Sequence, residues 1–171
     1  MKGEGKFMIS DKELYESLDE YGESRRAIMY QADFENEKAF RFLISIRDKI
    51  PKGLYGRILN ILYTSDTDGV SMDTLLEAFH NTSRTDLMHD EDIEKLNNMP
   101  DEIEIFRGTQ DYHESIPRLS WSLSYTTARI YGNAHIFKAK IPKDKVIAYF
   151  SKEGDEEEIV AHITDGYEIM K

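Results

Sequence analysis

Apolar positions follow a helical period through the first hundred residues. Side chains spaced three and four apart lie on one face of an α-helix, and the chain repeats this spacing in several runs. Ser10 and Ser71 each stand where an N-cap is expected, and Pro51 ends the run that begins after Asn36. The predicted helices lie at about 10–21, 37–50, 54–63, 71–79 and 90–97.

From about Pro100 onward the period changes from 3.6 to 2, which is typical of β-strands. The predicted strands lie at about 103–108, 119–123, 134–141, 146–150, 158–163 and 167–170. A short helix capped by Ser124 is predicted at 124–131. Helices followed by mostly antiparallel strands indicate an α+β fold. We therefore expect one domain over 1–171, with a helical lobe at 1–100 and a β-rich core at 101–171.

Composition and charge narrow the classes of function. The formal net charge of −11 argues against binding to a phosphate backbone, so we expect no nucleic-acid partner. The chain has no cysteine, which excludes disulfides, thiolate zinc sites and a cysteine nucleophile. It has neither a signal-like apolar stretch nor a membrane span. We expect a cytoplasmic protein, acting in its own cell or in a target cell.

The first candidate for chemistry is Phe106-Arg107-Gly108, an arginine at the end of a predicted strand with glycine directly after it. The planar guanidinium suits phosphate because it can donate two parallel hydrogen bonds, and glycine permits close backbone approach. For an isolated arginine, however, a surface salt bridge is the more common explanation.

The second candidate is the run Leu119-Ser120-Trp121-Ser122-Leu123-Ser124, with Tyr125 and Tyr131 following. Hydroxyl groups on a strand can bind a ribose or orient a carboxylate, and an aromatic ring can cover a heteroaromatic ligand. The same alternation is also typical of a half-buried strand that ends in an ordinary helix cap.

The third candidate is Glu156-Glu157-Glu158, which leads into an apolar strand. Residues two apart on a strand face the same way, so Glu156 and Glu158 would lie side by side. Like charges held close together raise the proton affinity of a carboxylate, which is useful in acid-base chemistry. In a chain with 33 acidic residues, a solvated acidic turn is the simpler explanation.

Taken in order, these three features resemble the signature of ADP-ribosyltransferases of the Arg-Ser-Glu type. The resemblance covers about the last seventy residues and is closest to small bacterial or phage-encoded forms, some of which act as toxins or effectors. It implies a fold in which N-terminal helices pack on a mostly antiparallel, split β core that binds NAD. One position departs from the family, since Trp121 stands where a threonine is usual.

The resemblance also implies a role for each matching residue. Arg107 would hold the NAD phosphates, and Ser120 would position the nicotinamide ribose and the catalytic glutamate. Glu158 would be that glutamate, and Glu156 would orient or deprotonate the acceptor. The other residues predicted to bind NAD are Gly108, Trp121, Ser122, Tyr125 and Tyr131, with the three aromatic residues as unranked candidates for stacking on nicotinamide.

In the family, a glutamate at the position of Glu156 accompanies arginine as the acceptor, so the predicted target is an arginine side chain on a basic protein. NAD is a substrate in this reaction, and no metal is implied. Two alternatives remain open at this stage. The chain could be a NAD glycohydrolase, with water as the acceptor, or a non-catalytic acidic interaction or inhibitor protein.

Overall fold

A computed structural model of the chain describes residues 28–29, 32–111, 118–152 and 156–170, and the side chains of 152 and 156 lie outside that description. The predicted helix at 10–21 also lies outside the described residues. The chain falls into two compact units, Met1–Leu87 and Met88–Lys171. Of the helices in the described part, none has both the length and the apolar composition that crossing a membrane requires.

The first unit is helical. Its elements between residues 32 and 87 are α1 (Asn36–Ser45), a 3-10 turn (Arg47–Lys49), α2 (Lys52–Ser65), α3 (Met72–Phe79) and α4 (Arg84–Leu87). The helices expected after Asn36, at 54–63 and at 71–79 are therefore present. The short α4 was not predicted, because four residues are too few to show a helical period.

The three longer helices of this unit bury one apolar face each. Phe40, Leu43, Ile58, Leu59 and Leu75 are all at most 2% exposed. Removing such side chains from water is the main stabilising contribution to a helical core.

A carboxylate joins α1 to the start of α3. Ser71 caps α3 by accepting a hydrogen bond from the Thr74 amide. Glu37 on α1 accepts from the Ser71 amide at 2.9 Å, from Thr74 Oγ1 at 2.8 Å and from Arg41 Nε at 2.7 Å. The hydrogen bond from the Ser71 amide is the largest of the contacts that lower the pKa of Glu37. We call Glu37, Arg41, Ser71 and Thr74 the α1–α3 clamp.

In the part that the structure describes, the second unit contains two α-helices and a six-stranded sheet. Its elements are α5 (Asp90–Asn98), β1 (Glu102–Thr109), β2 (Ser120–Ser122), α6 (Tyr125–Tyr131), β3 (His135–Pro142), a 3-10 turn (Lys143–Lys145), β4 (Ala148–Lys152), β5 (Glu156–Val160) and β6 (Tyr167–Met170). The strand order is β4-β5-β2-β1-β3-β6, and every pairing is antiparallel. The α+β class predicted from the sequence is confirmed.

The sheet is much less continuous at its centre than elsewhere. β1 pairs with β3 over eight residues, from Glu102↔Pro142 to Thr109↔His135. By contrast, β1 pairs with β2 at a single position, Phe106↔Ser122. Two three-stranded halves, β4-β5-β2 and β1-β3-β6, therefore meet at one residue pair, which we call the central join.

Helix α6 lies very close to β1, and two glycines allow this approach. A Cβ atom added to Gly108 would lie 1.9 Å from the Ala128 carbonyl oxygen and 2.3 Å from that of Gly132. A Cβ on Gly132 would lie 2.3 Å from the Thr109 carbonyl carbon. As the sequence predicts, Ser124 caps this helix, with its Oγ accepting from the Thr127 amide at 3.2 Å.

Candidate active site

A cavity of about 330 Å³ opens at the central join, lined by the end of β1, by β2, by one side of α6 and by β5. Most of the residues singled out in the sequence lie around it. These are Arg107, Gly108, Ser120, Trp121, Ser122, Tyr131 and Glu158. Tyr125 is not part of the lining, and the Glu156 side chain lies outside the described part of the chain.

Strand pairing determines which way Glu158 faces. On β5 it lies opposite Ser122 of β2 on one side and opposite Phe150 of β4 on the other. Residues directly opposite in antiparallel strands project to the same face. The Glu158 side chain therefore lies in a row between a hydroxyl and an aromatic ring, and the residue is 8% exposed.

Along β2, polar and apolar side chains alternate between the two faces of the sheet. Ser120 and Ser122 are half-buried on the cavity side, whereas Trp121 is 2% exposed. The Trp121 indole nitrogen donates to the Ala161 carbonyl at 3.2 Å. The Trp121 ring is consequently a core side chain, although the residue lines the cavity, and its stacking on nicotinamide stays a prediction.

Arg107 occupies the place where the β1–β2 ladder stops. The Leu119 carbonyl accepts from the Ala161 amide at 2.9 Å, so the next carbonyl along, that of Ser120, points toward β1. Arg107 Nη1 donates to this Ser120 oxygen at 2.9 Å. Arg107 comes directly after the one position at which β1 and β2 pair, and it lines the cavity there.

The structure gives a different explanation for glycine at position 108 than the sequence does. Gly108 was expected to allow a ligand phosphate to approach the backbone. In the structure, the space that a Cβ would need is taken by the Ala128 carbonyl of α6 and by the carbonyl of Gly132, which directly follows this helix. The lack of a side chain at Gly108 therefore allows α6 to pack against β1, and Gly108 lines the cavity at this contact.

The structure separates the three aromatic candidates. Tyr131 lines the cavity and is 56% exposed. Tyr125 packs edge-on against Phe106, with ring centroids 5.9 Å apart, and Arg129 lies over the Tyr125 ring at 5.8 Å. Since Trp121 is buried, Tyr131 is the one of the three with an accessible ring at the cavity.

Sequence reasoning missed some of the lining, namely Gln110, Thr127 and Glu157. Thr127 could have been found, because it lies one helical turn before Tyr131 and so shares its face. Gln110 donates to the Tyr131 carbonyl at 3.2 Å, a contact that no local sequence pattern indicates.

Comparisons of the chain with protein-family models, with curated protein sequences and with solved structures found no match. Support for a function therefore comes from the residues of this chain and from their geometry.

Proposed function

We propose that this protein is an ADP-ribosyltransferase, which cleaves NAD and transfers ADP-ribose to an acceptor, with an arginine side chain of a protein as the acceptor. One observation carries the proposal. Arg107, Ser120 and Glu158, which are distant in the sequence, line the same cavity. A cation, hydroxyls and a carboxylate around one cleft match the phosphate, ribose and nicotinamide-ribosyl bond of NAD.

The split β core implied by the family resemblance is also consistent with this sheet. A ligand can enter between two strands only where their ladder is interrupted. The single pair Phe106↔Ser122 provides such an interruption. We propose that NAD enters at the central join, with Arg107 holding its phosphates through charge-assisted hydrogen bonds.

Cleavage of the nicotinamide–ribose bond leaves its electron pair on the nicotinamide nitrogen and a positive charge on the ribose C1′ and ring oxygen. A fixed carboxylate beside C1′ stabilises this charge more in the transition state than in bound NAD. Glu158 has the burial and the neighbouring Ser122 that such a role needs. The acceptor nitrogen then forms a bond to C1′ and loses its proton, for which Glu156 is the proposed base.

The size of the cavity fits one end of NAD. Small-molecule sites usually measure about 300–1,000 Å³, and about 330 Å³ is at the lower end of this range. We propose that the nicotinamide-ribose half occupies it. Tyr131, with its exposed ring, would then stack on the nicotinamide.

Nicotinamide release from NAD tests the proposal. Wild type should release nicotinamide, and Glu158→Gln should be slower by about 100-fold or more, since the substitution removes the charge but keeps the shape. Glu104→Gln is the matched control, because Glu104 lies on β1 in an ion pair with Lys138 and outside the cavity. It should cleave NAD at the wild-type rate.

The products distinguish the alternatives. A protein acceptor that carries ADP-ribose on arginine supports the transferase. Free ADP-ribose with no modified protein would replace it with a NAD glycohydrolase. No release by wild type, or equal release by wild type and Glu158→Gln, would contradict catalysis at this site and favour a binding protein.

A further inference from the structure

Three consecutive glutamates begin β5, and they are chemically identical. Both Glu157 and Glu158 line the cavity, but alternation along the strand directs their side chains to opposite faces of the sheet. A shift of one residue in the pairing would place Glu157 where Glu158 now lies, opposite Ser122. Something in the fold must therefore determine which carboxylate shares a face with Ser122.

The apolar residues of β5 define this register only weakly. Ile159 and Val160 are both fully buried, although they lie on opposite faces of the sheet. A strand with one buried and one solvated face resists slippage, because a slip would expose its apolar residues. Here both faces accept an apolar side chain, so Ile159 and Val160 alone do not fix the orientation of the glutamates before them, and a polar contact contributes to it.

Tyr149 supplies this contact. It lies on β4 opposite Ile159, on the face away from Glu158, and its side chain is fully buried. Its hydroxyl donates to Glu157 Oε1 at 2.6 Å. Glu157 is its diagonal neighbour on β5, which is within the reach of an aromatic side chain.

A second carboxylate, that of Asp92, binds a residue on the same face of β4. Ser151 lies opposite Glu157, and Asp92 on α5 accepts from the Ser151 amide at 3.3 Å and from its hydroxyl. Burial, the hydrogen bond to Glu157 and the charges of Glu157 and Asp92 raise the pKa of Tyr149. Its hydroxyl therefore remains a hydrogen-bond donor throughout the neutral pH range.

We propose that Tyr149 is a positioning residue, which holds the Glu157 side chain on its own face of the sheet and thereby keeps the Glu158 side chain on the face of Ser122. This inference rests on the proposed NAD cleavage. It assigns Tyr149 no contact with NAD, so its loss should affect turnover rather than substrate binding.

Tyr149→Phe removes only the hydroxyl. We expect kcat for nicotinamide release to fall about tenfold, since small displacements of a catalytic group are costly, while KM for NAD stays within about twofold. Glu157→Ala should lose as much, and Tyr149→Phe combined with Glu157→Ala should lose no more than either alone. Glu157→Gln keeps an acceptor oxygen for the Tyr149 hydroxyl and should lose less of kcat than Glu157→Ala.

Tyr55→Phe is the matched control. Tyr55 is also buried and its hydroxyl donates to the Ala78 carbonyl at 2.9 Å, but it belongs to the first unit. It should leave both kinetic constants unchanged. If wild type cleaves NAD and Tyr149→Phe cleaves it equally fast, or if Glu157→Gln is as slow as Glu157→Ala, the positioning role is wrong and the proposed function stands. If wild type releases no nicotinamide, the proposed function fails and this inference fails with it.

Discussion

Contacts between single atoms determine how several residues of the candidate site are placed. The Trp121 ring is oriented by its hydrogen bond to the Ala161 carbonyl. Position 108 requires glycine because the carbonyl oxygens of Ala128 and Gly132, at the end of α6, lie too close for a side chain. These partners are distant in the sequence, so local patterns could not indicate them. The sequence did identify the residue types that suit the chemistry, because charge and hydrogen-bonding capacity are properties of the residues themselves.

The steric role of Gly108 gives a prediction at this scale. Gly108→Ala would place a methyl group 1.9 Å from a backbone oxygen, which cannot rotate away as a side chain can. We expect a loss of about 1–3 kcal/mol in the free energy of unfolding, measured by urea denaturation followed by circular dichroism.

Gly53→Ala is the control for this substitution. Its Cβ would lie 3.6 Å from Arg57 Nη2, an ordinary contact, and alanine favours helix α2 by up to about 1 kcal/mol. It should be neutral or stabilising. Equal stability of Gly108→Ala and wild type would show that α6 does not pack on β1 as closely as described.

At the scale of elements, the longer helices and the strands could be located from the sequence, because their periods extend over many residues. The helix at 71–79 and the strand at 167–170 are examples. β5 begins at Glu156, two residues before the predicted start, since Glu156 pairs with Lys152 although neither is apolar. The single pair that joins β1 to β2 is a tertiary property, and no pattern within either strand predicts it.

The α1–α3 clamp makes the stability of the first unit depend on pH. The pKa of Glu37 is lower in the folded chain than its ordinary value of 4.5. A carboxylate of this kind stabilises the fold fully above its unfolded pKa, and the contribution disappears as the pH falls through the folded pKa. We expect Glu37→Gln to be less stable than wild type by about 1 kcal/mol at neutral pH, and the difference to shrink below pH 4.5.

Thermal unfolding at neutral pH and at acidic pH measures this effect. Glu35→Gln is the control, since Glu35 forms an exposed ion pair with Lys38, and such pairs contribute little. It should change the midpoint little at either pH. A difference between Glu37→Gln and wild type that stays constant across the acidic range would contradict the role of the Glu37 charge.

For the whole molecule, the boundary between the compact units lies after Leu87, before the change of period at about Pro100. Helix α5 belongs to the β-rich unit, because Asp92 binds Ser151 and because Lys143 Nζ donates to the Asn97 and Met99 carbonyls at 3.0 and 2.7 Å. The period of apolar residues along the sequence reflects local structure, so it carries no information about these long-range contacts. The net charge of −11 belongs to this scale too, and it favours encounter with basic proteins, the class to which the proposed acceptor belongs.

The central claim is that the cavity at the central join binds NAD. A titration of Glu158→Gln with NAD, followed by amide chemical shifts in NMR, tests it directly, because we expect this variant to bind NAD without consuming it rapidly. The largest shifts are expected at Arg107, Ser120, Ser122 and Tyr131, with the helices of the first unit unaffected. No shift at millimolar NAD, or shifts confined to the first unit, would contradict the claim.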